Sequence, residues 1–265
     1  MLLITETKAI LARKELLFQM VGREIKARYK QSILGYFWVI LNPFLQMLVM
    51  SFAFSVIMRI PTHANSKIPY SIFLYTALLP WTLFSNSLSS ATNSLVNSSN
   101  LITKIYFPRT ILPLATIIAK IIDFFFASTI LIAFFFIYKI PINLNVLWFI
   151  PIFLIQQIFT LGVSLFFSAA NLIYRDVQYM LGLILMLWMY LTPIIYPIDI
   201  VPAHLRFIFQ LNPLSVLTNA YRQSILGRGM PNITSLFIAL LVSILTLLIG
   251  LKYFKTQEKT FADNI

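Results

Sequence analysis

A chain of 265 residues with 59% hydrophobic and only 11% charged residues, and a mean hydropathy of +0.86, is far from a soluble domain, in which about a quarter of residues are charged. The absence of cysteine excludes disulfides and thiolate metal sites. A net charge of +12 that flanks apolar runs reads as topology information and not as a nucleic-acid surface.

Continuous runs such as 121–138 and 179–196 show none of the roughly ten-residue alternation of a membrane barrel. The fold class is therefore all-α integral membrane, because helices pair their own backbone groups inside hydrocarbon. The chain reads as one transmembrane domain, 1–265, with an amphipathic head over 1–33, a six-span core over 34–254 and a tail over 255–265. In the head, Leu17, Phe18, Val21, Ile25 and Tyr29 cover one helical arc, while Arg23, Lys26 and Lys30 lie opposite. That pattern suits a basic helix lying along the headgroup boundary; a solvated positive anchor that only orients the first span is the plainer alternative. The charged first 30 residues lack the short apolar core and cleavage site of a signal peptide, so insertion by an uncleaved first span is expected.

Six apolar stretches follow at about 34–58, 70–95, 110–138, 146–171, 178–196 and 232–254, each near the roughly 20 residues that cross a bilayer core. The second carries Trp81 and Phe84, then Asn86, Asn93, Asn97 and Asn100, whose steps of 7, 4 and 3 place them on one helical face. They read either as glue between helices or as the wall of a polar pathway for a hydroxyl-rich substrate. The third span holds Lys120 and Asp123, three residues apart. Each costs about 2.5–3.5 kcal/mol at mid-membrane, so they form a structural ion pair or a gating pair. Tyr190 and Tyr196 read as part of an interfacial belt, or as faces for stacking on sugar rings. Pro197, Pro202 and Pro213 divide 197–231 into short helices near 203–211 and 214–227, the second with a stripe of Leu214, Leu217, Tyr221 and Ile225. A re-entrant pair lining a cavity is favoured over a pair lying on the outer leaflet.

Lys and Arg number 13 on the side of the head, including Lys104, Arg109 and Arg175, against 6 on the other, among them Arg206 and Arg222. Both termini should then face the cytoplasm. Catalysis finds little support. His63 and His204 have no neighbouring acid at ligand spacing, no Gly-rich phosphate loop is present, and Asp123 is the one Asp inside a span. The chain is expected to be a transport subunit and not an enzyme, with no cofactor or metal of its own. No internal repeat is visible, which weighs against an inverted-repeat transporter.

An ordered series of motifs runs the length of the core. It starts with Glu24-Ile25-Lys26-Ala27-Arg28-Tyr29-Lys30-Gln31-Ser32-Ile33-Leu34-Gly35-Tyr36-Phe37-Trp38, continuing to Asn42-Pro43. Leu79-Pro80-Trp81, Thr103-Lys104-Ile105-Tyr106-Phe107-Pro108-Arg109 and Asn171-Leu172-Ile173-Tyr174-Arg175-Asp176 follow, then Thr192-Pro193-Ile194-Ile195-Tyr196-Pro197 and Asn212-Pro213-Leu214. Over about 15–254 this resembles the membrane subunit of type-2 ABC exporters for polysaccharides, the Wzm- and TarG-like permeases of O-antigen, capsule and teichoic acid. The resemblance implies six spans, an N-terminal interface helix over about Glu15–Lys30, and two short helices between spans five and six. It implies a homodimer working with two copies of a separate ATP-binding subunit, which would hold ATP and Mg. It makes Lys104, Ile105, Tyr106, Phe107, Pro108 and Arg109 the coupling segment for that subunit, beside a second cytoplasmic loop at Arg175 and Asp176. By the same resemblance a lipid-linked glycan enters a pore between two copies in a bacterial or archaeal cytoplasmic membrane. Arg23, Lys26, Arg28, Tyr29 and Lys30 would then meet its anionic lipid head, and Trp81, Phe84, Asn86, Asn93, Asn97, Tyr190 and Tyr196 would line its path. A drug or lipid exporter of the same architecture is an open alternative, as is a membrane enzyme on lipid-linked sugar that would use Asp176 and Asp199.

Overall fold

The computed structural model describes residues 2–29, 32–60, 68–141, 143–227 and 229–261. Among them every regular element is helical and no strand occurs. The head is two helices, α1 (Leu2–Ala12) and α2 (Lys14–Tyr29), meeting at Arg13. The amphipathic arc accounts for α2, whose Met20 and Val21 are buried; the separate helix α1 was not expected. Pro43 lies inside α3 (Trp38–Ser51), which continues through a wider π-helical turn, Phe52–Ile57. Then come α4 (Tyr70–Ser94), α5 (Ser99–Lys104), α6 (Ile111–Ile137), α7 (Phe149–Ile173), α8 (Val177–Tyr190), α9 (Arg206–Leu211), α10 (Pro213–Ile225) and α11 (Ile233–Gln257).

Among the described residues, four stretches are long and apolar enough to cross a membrane: Gly35–Ile57, Ile111–Ile137, Leu144–Ile173 and Ile233–Thr260. They coincide with four of the six expected spans and make an integral membrane protein of the chain. The other two expected spans differ. α4 has the length, 25 residues, but its second half is rich in Ser and Asn. α8 is apolar but has only 14 residues, about 21 Å at the helical rise, where a run to 196 was expected. The helix stops because Pro193 cannot donate a backbone N–H and disfavours helical geometry in the residue before it.

α4 is the centre of the molecule. Ile72, Phe73, Leu74, Tyr75, Leu78, Phe84 and Leu88 are fully buried, enclosed by α3, α6, α7, α8 and α10. Its small polar residues let neighbouring backbones approach closely. The Asn face expected along it is cut short: α4 ends at Ser94, Asn97 lies in a tight turn and Asn100 belongs to α5. α7 and α11 cross at Gly162 and Gly250, where a Cβ on Gly250 would overlap the Gly162 carbonyl oxygen. α2 packs along α6.

α9 and α10 fit the expected short helices closely. Asn212 caps α10, its side-chain oxygen accepting from Leu214 N at 3.1 Å with Pro213 in the first turn. Leu214, Leu217 and Tyr221 of the expected stripe are buried and Ile225 is partly so. Arg222 corrects the charge count. Counted with the exterior charges inside the expected helix over 214–227, it does lie in α10 but is only 4% exposed.

Candidate functional site

Trp38, Asn42 and Gln46 recur every four residues and so share one face of α3. That face, the Trp81–Asn86 stretch of α4 and the Lys120–Asp123 stretch of α6 enclose a cavity of about 570 Å³. Lys120 and Asp123 are the tenth and thirteenth of the 27 residues of α6, about 14 and 18 Å along its axis. Lys120 Nζ lies 3.8 Å from Asp123 Oδ2, with both side chains about 15% exposed (14% and 15%). The Tyr36 hydroxyl donates to Asp123 Oδ1 at 3.1 Å, and its ring meets Phe126 edge-on at 4.9 Å. A desolvated pair of this kind gains little net stability, but it cancels charge and places a carboxylate on the cavity wall.

The cavity brings together residues that the sequence presents separately. Trp81 and Asn86 from the expected pathway line it with the expected pair Lys120 and Asp123. The other pathway residues lie elsewhere. Phe84 is fully buried, 5.7 Å from Phe159 and 5.3 Å from Trp188 between ring centroids. Asn93 donates to the Ser89 carbonyl at 3.1 Å and accepts from Asn171 at 3.3 Å. Asn171 in turn accepts from the backbone N–H of Gln178 at 3.0 Å, closing the turn from α7 into α8. Asn97 is exposed, Tyr190 is 56% exposed, and the Tyr196 hydroxyl donates to the Tyr190 carbonyl at 2.8 Å. Arg175 and Asp176 are exposed in the turn before α8.

The segment 104–109 is not itself a helix. Lys104 ends α5, and the following residues form an irregular turn into α6. Tyr106 projects from it at 95% exposure, Ile105 is exposed, and Phe107, 5% exposed, is driven into a cluster with Ile111, Phe254 and Phe261. Arg109 points inward. Its guanidinium donates to the Glu258 carbonyl and stands 5.7 Å from the centre of the Phe261 ring. Beside it Glu6 accepts from Thr110 Oγ1 at 3.0 Å and pairs with Lys255, which bonds Glu258 at 2.7 Å. Helix α1, the turn and the end of α11 are thereby tied together, and Tyr106 and Ile105 are left as the exposed tip.

On α2, Arg23 donates to Ser98 Oγ at 3.0 Å and lies 3.7 Å from Glu24, so it fastens the head to the turn after α4. Lys26 is exposed and, with Phe18, Gly22 and Tyr36, borders a largely apolar groove. The side chains of Arg28 and Tyr29, all of Lys30, and His63 lie outside the described residues.

Two buried polar nodes were not read from the sequence. Gln156 of α7 donates to the Pro80 carbonyl at 2.7 Å and accepts from the Tyr221 hydroxyl at 2.8 Å, joining α4, α7 and α10. Arg222 donates to the carbonyls of Phe73, Pro193, Ile194 and Tyr196 and lies 3.6 Å from the centre of the Phe73 ring. It thus satisfies backbone acceptors that the break after α8 would strand.

Residues 15–226 match the family model described as ABC-2 type transporter. An O-antigen export system permease protein RfbA of Klebsiella pneumoniae is 34% identical over 251 residues, covering 94% of each chain. The protein of the same name from Myxococcus xanthus is 30% identical over 253 residues, covering 94% of this chain and 95% of that one. The polysialic acid transport protein KpsM of Escherichia coli is 23% identical over 247 residues, covering 91% of this chain and 93% of that one. With four membrane-length apolar helices among the described residues and a family match over most of its length, this chain belongs to the ABC-2 type transporter membrane family.

Proposed function

We propose that the chain is the permease subunit of an ATP-driven exporter that moves a lipid-linked polysaccharide, O-antigen or a similar surface glycan, across the cytoplasmic membrane. The observation that carries this is the 34% identity, over 94% of both chains, to an O-antigen export permease. A single transmembrane domain of six spans is reached by counting α4 and α8 with the four longer stretches, and α9 and α10 then form a re-entrant pair on the outer side. The excess of Lys and Arg on the side of Lys104 and Arg175 supports cytoplasmic termini. Two copies of the chain build the pore, and two copies of a separate ATP-binding subunit hold ATP and Mg and perform the hydrolysis.

The exposed tip at Ile105 and Tyr106 is the surface this reading gives to the ATP-binding subunit. The inward bonds of Arg109 make it a positioning residue for that tip. Tyr106→Ala should therefore reduce co-purification of the ATP-binding subunit several-fold while the chain itself still accumulates in the membrane; undiminished pairing would remove the tip from the interface. The function is tested by deleting the gene and restoring it from a plasmid. Loss of surface polysaccharide with accumulation of lipid-linked glycan inside the cell is expected, and an unaltered surface would refute the assignment.

A further inference from the structure

A second cavity, of about 300 Å³, lies between α9, α10 and the start of α11. Ser215, Asn219 and Gln223 follow one another at four-residue spacing on α10, nearly opposite its apolar stripe, and all three border this cavity. Arg206 and Gln210 of α9, with Asn232 and Ser235 at the start of α11, complete the polar wall. Arg206, Gln210 and Asn232 are exposed and form an open rim. Ser215, by contrast, is 1% exposed, and its Oγ is enclosed without a hydrogen-bond partner. Among the described residues the partly buried amides of Asn219 and Gln223 make no hydrogen bond either. A buried hydroxyl costs free energy until something satisfies it.

The charge of the wall is one-sided. No Asp or Glu borders the cavity among the described residues. Arg206 Nε donates to the Val201 carbonyl at 2.9 Å and Nη2 to the Asp199 carbonyl at 3.0 Å, neutral acceptors that fix the guanidinium and leave its charge intact. Asn232 caps α11 by accepting from Ser235 N at 3.1 Å, while the N–H groups of Ile233 and Thr234 have no acceptor within the helix. The N-terminus of this 25-residue helix therefore adds partial positive charge beside Arg206 and favours an anion with several acceptor oxygens. The membrane-length stretch Ile233–Thr260 begins at the same point, so the rim stands where the apolar core meets the headgroup layer. Phe207 and Leu211 of α9 and Ile233 and Phe237 of α11 are exposed and offer surface to acyl chains. The volume is at the lower end of the roughly 300–1,000 Å³ of small-molecule sites, room for one phosphorylated head group. We propose that this cavity binds the phosphate of a lipid in the outer leaflet. Arg206 and the start of α11 meet its charge, and Asn219, Gln223 and Ser215 donate to its oxygens. The proposal goes beyond the export function and rests on that reading only for the leaflet, since cytoplasmic termini put α9, α10 and the start of α11 on the outer side.

Because the chain has no cysteine, Asn219→Cys introduces a unique thiol, and Gln223→Cys serves the same purpose if the first does not assemble. The variant, purified with its ATP-binding subunit in maltoside micelles, is treated with a hydrophilic maleimide alone or after adding lipid. Phosphatidylglycerol should slow labelling several-fold, diacylglycerol with the same acyl chains should not, and Arg206→Gln in the same background should abolish the protection. A thiol that does not label, or equal labelling with and without phosphatidylglycerol, would overturn the site. Equal protection by diacylglycerol, or protection that survives Arg206→Gln, would do the same. A polyprenyl diphosphate is the remaining probe. Protection at several-fold lower concentration than phosphatidylglycerol makes the carrier lipid of the exported glycan the natural occupant; otherwise it is the bilayer phospholipid. In spheroplasts the same maleimide, which does not cross the membrane, should reach the thiol from outside. Labelling in inverted vesicles alone would overturn the outer-leaflet placement together with the orientation, whereas loss of the export function would leave the phosphate protection unchanged.

Discussion

Arg222→Met should lower the melting temperature of the purified protein by several degrees or prevent its accumulation, whereas Arg222→Lys should lie between the variant and the parent. Arg222 is 4% exposed, and its guanidinium donors reach the carbonyls of Phe73, Pro193, Ile194 and Tyr196. Each buried acceptor left without a donor costs about 1–3 kcal/mol, and loss of the contact with the Phe73 ring at 3.6 Å adds up to about 2 kcal/mol when desolvated. These costs are not additive, but about 3 kcal/mol in total is a conservative expectation. Lys keeps the charge with fewer donors and no planar fork, hence its intermediate place. Thermal unfolding in detergent, followed by tryptophan fluorescence, checks the order. A Met variant as stable as the parent would mean that the break after α8 is not held from α10.

Gly250→Val should be the more damaging change. The added Cβ overlaps the Gly162 carbonyl oxygen, and both partners are backbone, so neither helix can yield by a rotamer change. Overpacking costs about 1–3 kcal/mol where side chains can adjust; here α7 and α11 must separate along their whole crossing, and about 3 kcal/mol or more is expected. The Gly162→Val variant should behave alike, since its Cβ meets the backbone of Thr246 and Leu247. Gly182→Ala is the internal control: nothing lies within 4 Å of its added carbon, and helix propensity favours Ala over Gly. Membrane yield and melting temperature of the three variants measure the contrast. An unperturbed Gly250→Val protein would mean that the two helices do not cross at these glycines.

The sequence made the long apolar helices and the capped α10 legible because their signals are local. A run of apolar residues, or Asn212-Pro213 ahead of a stripe of Leu214, Leu217 and Tyr221, needs no knowledge of neighbours. Three features needed tertiary information. Asn93, Asn97 and Asn100 share a face only if α4 continues, and Ser- and Asn-rich sequence serves helix, turn or cap equally. Arg222 reads as an exterior charge until the carbonyls that surround it are placed. Arg109 is expected by motif in a coupling segment, yet its partners come from the stretch after α11, Glu258 and Phe261, over a hundred residues away. The cavity lies between these extremes. The four-residue spacing of Trp38, Asn42 and Gln46 is visible in the sequence, but its meeting with Lys120 and Asp123 depends on how α3 and α6 align.

The central claim is that this chain carries a lipid-linked glycan across the membrane under power from a separate ATP-binding subunit. It is tested most directly in inverted membrane vesicles containing both subunits and the lipid-linked glycan radiolabelled on the exposed, formerly cytoplasmic leaflet. On adding ATP, the label should become protected from an external glycosidase, and it should stay accessible when the chain is omitted or ATP is replaced by a non-hydrolysable analogue. Protection that arises without the chain, or without ATP hydrolysis, would contradict the account.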